Sequence, residues 1–448
     1  MTAAVEPDQL AAQPPIIDPA VGTAALPPGR ANSDGMFRSL RVRNYRLYAS
    51  GQLVSLTGTW MQRVAQDWLV LQLTDSGTAL GIVTALQFAP SVLLGMYGGV
   101  LADRYDKRRM LLFTQSAIAL AALALGLLDV TGVVAYWHVL VLATVLGTIT
   151  AVDTPVRQSF VVEMVGRDDL TNAVAINSTT FNAGRIIGPA VAGVMIAAVG
   201  TGWAFLANAA SSVAVLAGLA LMRTAELFPS TPVRKARGQL REGLAYVRKR
   251  PDLMLTMVLI FVIGTFGLNF AITCALMAKQ VFHRGATGYG LLSTSLAVGA
   301  FIGAISATRR RARPTAWFLL GAAAVFSVFE IVAGVMPNFA WTALALVPTG
   351  VAMLAVTTGA NSHVQLGVAP TMRGRVMSLY LMCFLGGTPL GAPIVGWVAG
   401  WAGPRWGLVG GGAICLLCVA ALAIAVARRR QVHFGDVVGL VCARLNPA

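Results

Sequence analysis

Residues 99 to 109 read Gly99-Val-Leu-Ala-Asp103-Arg104-Tyr-Asp106-Lys107-Arg108-Arg109, between two apolar runs each long enough to cross a bilayer. A connection this short holds its two helices side by side. Its four cations, Arg104, Lys107, Arg108 and Arg109, prefer the cytoplasmic surface of a membrane. Gly99 permits close helix approach, and Asp103 stands where it could cap the next helix or pair with an arginine. The cations alone make a positive-inside loop; the glycine and the acid leave room for a second role.

The rest of the chain has the same character. Of 448 residues, 56% are hydrophobic and 12% charged, and the mean hydropathy of +0.71 excludes a soluble domain with a solvated surface. The net charge of +16 does not imply nucleic acid, because the cations lie in short loops and are not gathered on one soluble face. Anionic lipid headgroups suit them better. Cys274, Cys383, Cys415 and Cys418 fall in apolar runs and Cys442 in the tail, so no disulfide framework is expected; the Cys415-x-x-Cys418 pair reads as core packing. His138, His283, His363 and His433 are dispersed and suggest no metal site. No phosphate loop of the Gly-x-x-x-x-Gly-Lys-Ser/Thr type is present, so neither a cofactor nor direct use of ATP is expected, and the chain does not read as an enzyme.

With about 20 apolar residues per crossing, twelve spans are expected near 47–72, 78–101, 109–130, 137–153, 171–198, 202–223, 253–276, 288–307, 315–335, 339–360, 375–400 and 405–427. The fold class is an all-α polytopic membrane protein with two six-helix halves. Its expected parts are a disordered cytoplasmic tail (1–35) rich in proline, an N-terminal half (36–223), a cytoplasmic linker (224–251), a C-terminal half (252–428) and a cytoplasmic tail (429–448). Lysines and arginines crowd one set of turns. The other set holds few, with Lys279, Arg284 and Arg405 the exceptions, which puts both termini in the cytoplasm. Within the linker, Leu240, Leu244 and Val247 recur at helical spacing among arginines, which fits either a helix on the inner leaflet or a solvated charged segment. Gly99 and Gly303, Pro189 and Pro393, and Gln158 and Gln365 occupy equivalent places in the two halves, as an internal repeat would.

The hairpin resembles the signature loop between helices two and three of the major facilitator superfamily, with Asp106 where that family usually has glycine. The fifth span, with Gly184, Arg185, Gly188, Pro189 and Gly193, resembles the family's antiporter motif, in which Gly-x-x-x-Gly-Pro shapes a bendable contact between halves; Ala192 replaces a frequent glycine. Ordinary small-residue packing is the alternative. Asp153-Thr-Pro-Val-Arg157-Gln, read as a turn after span four, and the run near Gln87 are similar to the transmembrane secretion effector branch that includes the enterobactin exporter. That resemblance implies a bacterial plasma-membrane exporter with a proton-coupled rocker-switch mechanism. It also implies that Gly99, Asp103, Arg104, Arg108, Asp153, Arg157, Gly184, Gly188 and Pro189 act as a conformational gate, with Asp103 facing Arg104, Arg108 and Arg157. For Asp153 and Arg157 a helix-end ion pair is equally open.

The first span carries a polar stripe, Gln52, Ser55, Thr59, Gln62, Arg63, Gln66 and Asp67. Charged groups within spans usually face a bundle interior or a watery cavity. Gln62, Arg63, Gln66, Asp67, Asn182 and Arg185 are therefore the candidate cavity residues, and Arg63, Asp67 and Arg185 are expected to form one charge network. Glu330, alone in span nine, is expected to snorkel or to make a local hydrogen bond. The expected function is secondary transport of a small amphipathic molecule, drug or siderophore-like, with protons and membrane lipids as partners and the oligomeric state open. A lipid or lysolipid flippase of the same fold, or a non-transporting membrane sensor or assembly partner, are the alternatives.

Overall fold

The computed structural model describes residues 37–166, 168–228, 239–310 and 313–430. The expected N-terminal tail, the middle of the linker and nearly all of the C-terminal tail lie outside the described residues. Among these residues there is no strand. Helices α1 (Arg43–Thr74), α2 (Gly77–Arg104), α3 (Lys107–Val130), α4 (Tyr136–Val165), α5 (Leu170–Val199) and α6 (Thr201–Ala220) build the first half. After a short helix α7 (Gln239–Arg248), the second half comprises α8 (Pro251–Val262), α9 (Phe270–Leu276), α10 (Gly285–Thr308), α11 (Ala316–Val335), α12 (Phe339–Gly367), α13 (Pro370–Ala402) and α14 (Pro404–Arg430). Helices α8 and α9 belong to one span, Pro251–Val281, interrupted by π-helical turns at Ile263–Gly267 and Met277–Val281.

Among the described residues, eleven spans are long and apolar enough to cross a membrane. The twelfth, α1, has the length but not the hydropathy, because its polar stripe lies among the membrane-length helices; it packs on α5 and α6. Trp137, Trp203, Trp341, Trp401 and Trp406 are exposed close to helix ends on the side of the α1–α2 turn, as in an interfacial belt. That side is called the Asp75 end below, and the opposite side the hairpin end.

Helix boundaries follow local chemistry. Helix α2 runs through Arg104, so Asp103 is still helical, and the cap of α3 is Asp106, which accepts the Arg109 backbone N–H at 2.7 Å. Helix α4 continues through Pro155 to Val165, so the expected turn at 153–158 is helix. The carbonyl that Pro155 leaves without its helical donor belongs to Ala151, and Gly98 packs directly against it. The close approach thus belongs to Gly98, with Gly99 half-buried beside it. The second half repeats this contact, with Gly299 and Gly303 of α10 set against Val347 and Val351 of α12.

The halves meet where α2 packs on α13 and α5 on α10. Small residues set that distance: a Cβ on Gly77 would lie 2.6 Å from the Gly396 carbonyl oxygen, and one on Gly290 would lie 2.5 Å from that of Pro189. Helix α7 does not lie apart on a leaflet. It packs on α13, with Val247 buried and Glu242 paired to Arg375 at 2.6 Å.

Candidate functional site: a polar cavity and the contacts that close one end

A cavity of about 130 Å³ lies among the helices of the first half. One face of α1 supplies Gln52, Ser55, Thr59, Gln62, Arg63 and Gln66, at the three- and four-residue spacing that stacks side chains along a helix. Gln87, Gln115, Thr150, Asp153, Arg157 and Asn208 complete the polar lining, and Trp60 and Phe181 supply aromatic surface. Asn208 donates its amide N–H to Gln62, and Gln66 donates to Gln87 at 3.3 Å.

Two arginines reach this cavity in different states of compensation. Arg157 pairs with Asp153 at 3.1 Å, and the other Asp153 oxygen accepts from Thr114 at 2.7 Å and Gln115 at 2.9 Å. Asp153 is buried, so these donors offset the cost of removing its charge from water. Arg63 has no carboxylate partner among the described residues. Its guanidinium lies 4.7 Å from the Trp60 ring centroid and 5.9 Å from that of Phe88. Asp67, one turn on, acts on Arg63 by charge without forming a direct ion pair with it.

Asp67 turns elsewhere. Its carboxyl accepts a 2.6 Å hydrogen bond from the hydroxyl of Tyr289 on α10, in the other half. Of the expected network of Arg63, Asp67 and Arg185, this conformation keeps a charge interaction between Arg63 and Asp67 without a direct ion pair, and Arg185 stands apart. Arg185 is half-buried and makes no ion pair among the described residues, and Asn182 donates back to Ser178 on its own helix at 2.8 Å. Neither residue lines the cavity.

Further contacts join the halves toward the Asp75 end. Lys279 donates to the Leu71 carbonyl at 2.6 Å and pairs with Asp75 at 3.0 Å, while Gln280 donates to Asp75. The Lys279 hydrogen bond, then that of Gln280, holds the Asp75 carboxyl below its ordinary pKa. Thr287 donates to the Gly193 carbonyl at 3.1 Å. Lys279 was visible in sequence only as a cation on the sparse side; its partner is what explains it.

The hairpin is organised within its own half. Arg108 donates to the Leu219 and Ala220 carbonyls at 2.7 and 2.9 Å, closing the C-terminus of α6. Lys107 and Glu163 form a largely buried pair at 2.5 Å. Arg104 is exposed and Asp103 half-buried. Since α6 holds Arg108 and Asp153 holds Arg157, two of the three arginines expected to face Asp103 are engaged with other groups. In α5, Gly184 and Gly188 face Leu56, Thr57, Trp60 and Met61 of α1, inside the first half. The surface against α10 is the adjacent one, Pro189 and Gly193. Glu330 does not snorkel: it is buried in the second half near Gly411, and its Oε2 has no hydrogen-bond partner among the described residues.

Two bundled halves of membrane-length helices, the first enclosing a polar cavity, make up a fold of the major facilitator type. The model of the transmembrane secretion effector family matches residues 35–437, and the chain belongs to that family. The chain is 28% identical over 259 residues to a staphyloferrin A transporter of Staphylococcus aureus, covering 57% of this chain and 65% of that relative, so the matched part falls short of two thirds of its length. It is 23% identical over 355 residues to an enterobactin exporter, EntS, of Citrobacter koseri, covering 79% and 84%. In fold it is similar, with a TM-score of 0.66 and 17% identity over 90% of this chain and 98% of the other, to a bacterial homolog of the human lysosomal transporter Spinster.

Proposed function

We propose that this protein is a proton-coupled exporter of the bacterial plasma membrane, with both termini cytoplasmic, that works by alternating access of its two halves. The observation that carries the reading is the pairing of a polar cavity on the face of α1 with hydrogen bonds from that same helix to the second half, through Asp67 and Leu71. These bonds tie the halves together on the Asp75 side of the cavity. They must break for the site to open there, so cavity and gate share one element.

The cavity chemistry favours a small, acceptor-rich, anionic guest. Glutamine and asparagine amides offer donors, Arg63 offers a charge with no direct ion pair among the described residues and held on aromatic faces, and Trp60 and Phe181 offer flat apolar surface. A siderophore-like anionic chelator fits that description, and the two named relatives are a staphyloferrin A transporter and an enterobactin exporter. Asp67 is the proposed proton carrier. In this conformation it is held by Tyr289; when the halves part, the carboxyl loses that donor and exchanges its proton with water.

Everted membrane vesicles containing the protein, energised by a proton gradient, test the reading. An anionic chelator should accumulate inside them and discharge the gradient as it enters. Accumulation that ignores a protonophore would refute proton coupling, and no accumulation of any anionic chelator would refute the export reading.

A further inference from the structure

A second cavity lies apart from the polar one on α1. A cleft of about 430 Å³ opens at the Asp75 end between the two halves. Trp68, Gln72 and Ile196 come from the first half, and Arg284, Leu291 and Phe339 from the second.

Arg284 is the informative member. Three cations stand against the charge bias at this end, and two of them are satisfied by oxygens of the protein. Lys279 holds the Leu71 carbonyl and Asp75, and Arg405 donates to the carbonyls of Gly334 and Met336. Arg284 has no carboxylate partner among the described residues; its guanidinium lies 5.4 Å from the Phe339 ring centroid. Its backbone is fixed, donating to the Ala278 carbonyl at 2.8 Å and accepting from Gly288 at 3.0 Å. An exposed cation is thus anchored at the mouth of an aromatic cleft at the level of the tryptophan belt, where lipid headgroups lie.

We propose that this cleft seats the headgroup of an anionic phospholipid, with phosphate on Arg284 and the start of an acyl chain along Leu291. The lipid, rather than a soluble anion, is indicated by the apolar exposure of both flanking helices: Leu291 on α10 is 48% exposed and Val194 on α5 is 63% exposed. A soluble phosphate would leave that surface uncovered. The seat also has a mechanical consequence. Trp68 stacks on Tyr289, with ring centroids 6.5 Å apart, one residue from the Asp67 bond. A lipid touching both halves at this point binds the closed Asp75 end better than an open one and shifts the equilibrium toward it.

The test uses the purified full-length chain in detergent and does not depend on the transported substrate. Phosphatidylglycerol, phosphatidylcholine and glycerol phosphate are added separately, with thermal stability and lipid retention in native mass spectrometry as readouts. Phosphatidylglycerol should bind and stabilise, and Arg284→Gln should weaken this about fivefold, the worth of one arginine near a lipid surface. Arg284→Lys should keep most of the binding, and Ala197→Trp, which fills the cleft, should abolish it. Arg63→Gln, in the other cavity, should leave it unchanged. Equal stabilisation by phosphatidylcholine, an equal effect of glycerol phosphate, undiminished binding to both Arg284→Gln and Ala197→Trp, or loss of binding in Arg63→Gln would each overturn the proposal.

Discussion

Tyr289 and Asp67 are joined across the two halves by a 2.6 Å hydrogen bond, although 222 residues of chain separate them. Tyr289→Phe keeps the ring against Trp68 and removes only the donor. The buried Asp67 carboxyl then lacks a partner, a cost of about 1 to 3 kcal/mol against the closed Asp75 end. The expected outcome is a population shift, read as a longer distance between spin labels at Val133 and Trp401 in a background freed of native cysteines. Unchanged distances would show that the bond does not hold the halves together.

The Asp75 latch has a defined pH dependence. Lys279 and Gln280 hold the Asp75 pKa below its ordinary value while this end is closed, and parting the halves restores it. Closure therefore gains from this group above the ordinary carboxylate pKa and loses that gain as pH falls through the lowered value. Asp75 is largely exposed, so the effect is modest. The same pair of labels should move apart on acidification, and Asp75→Asn should flatten the response. An equally steep response in Asp75→Asn would assign it to another group.

Glycines on the two faces of α5 and α10 should fail in different ways. A Cβ on Gly188 would lie 2.5 Å from Trp60 Cβ and 2.9 Å from the Thr57 carbonyl oxygen, so Gly188→Leu disrupts packing inside the first half and should lower thermal stability. A Cβ on Gly290 would meet the Pro189 carbonyl oxygen and the Gly193 Cα, across the halves. Gly290→Val should leave each half folded but hold the Asp75 end apart. Thermal melts and label distances on both variants separate these outcomes; matching behaviour of the two would contradict the assignment of faces.

Orientation can be checked without a substrate. A reporter fused after Arg428 and one inserted near Gly238 should both read as cytoplasmic, since both positions fall in cation-rich stretches, which favour that side. An external reading from either would reverse the proposed direction of the gates.

The spans, the hairpin and the stripe on α1 were legible in sequence because hydropathy, charge and helical spacing are local properties. Proline normally ends a helix, and Pro155 stands just past the expected end of span four. Here α4 passes through it, with Gly98 packed on the freed carbonyl, and so Asp153 and Arg157 belong to the cavity and not to a turn. Arg63 and Asp67, four residues apart, looked like partners, yet Trp60 holds one and Tyr289 the other. Tyr289 carried no signal of its own: a tyrosine in an apolar span is unremarkable until the fold brings it to an acid. Gln115 was a weaker omission, a lone amide in an otherwise apolar third span that could have been read as lining something polar.

The central claim is that Asp67 couples proton movement to the parting of the halves, and its most direct test is the rate of chelator uptake into everted vesicles across a pH series. The unaltered protein should show a pH-dependent rate that collapses with a protonophore. Asp67→Asn should be slower by an order of magnitude or more and nearly flat with pH, while still binding the chelator. If Asp67→Asn keeps both the rate and the pH dependence of the unaltered protein, Asp67 is a packing residue and the coupling mechanism is wrong.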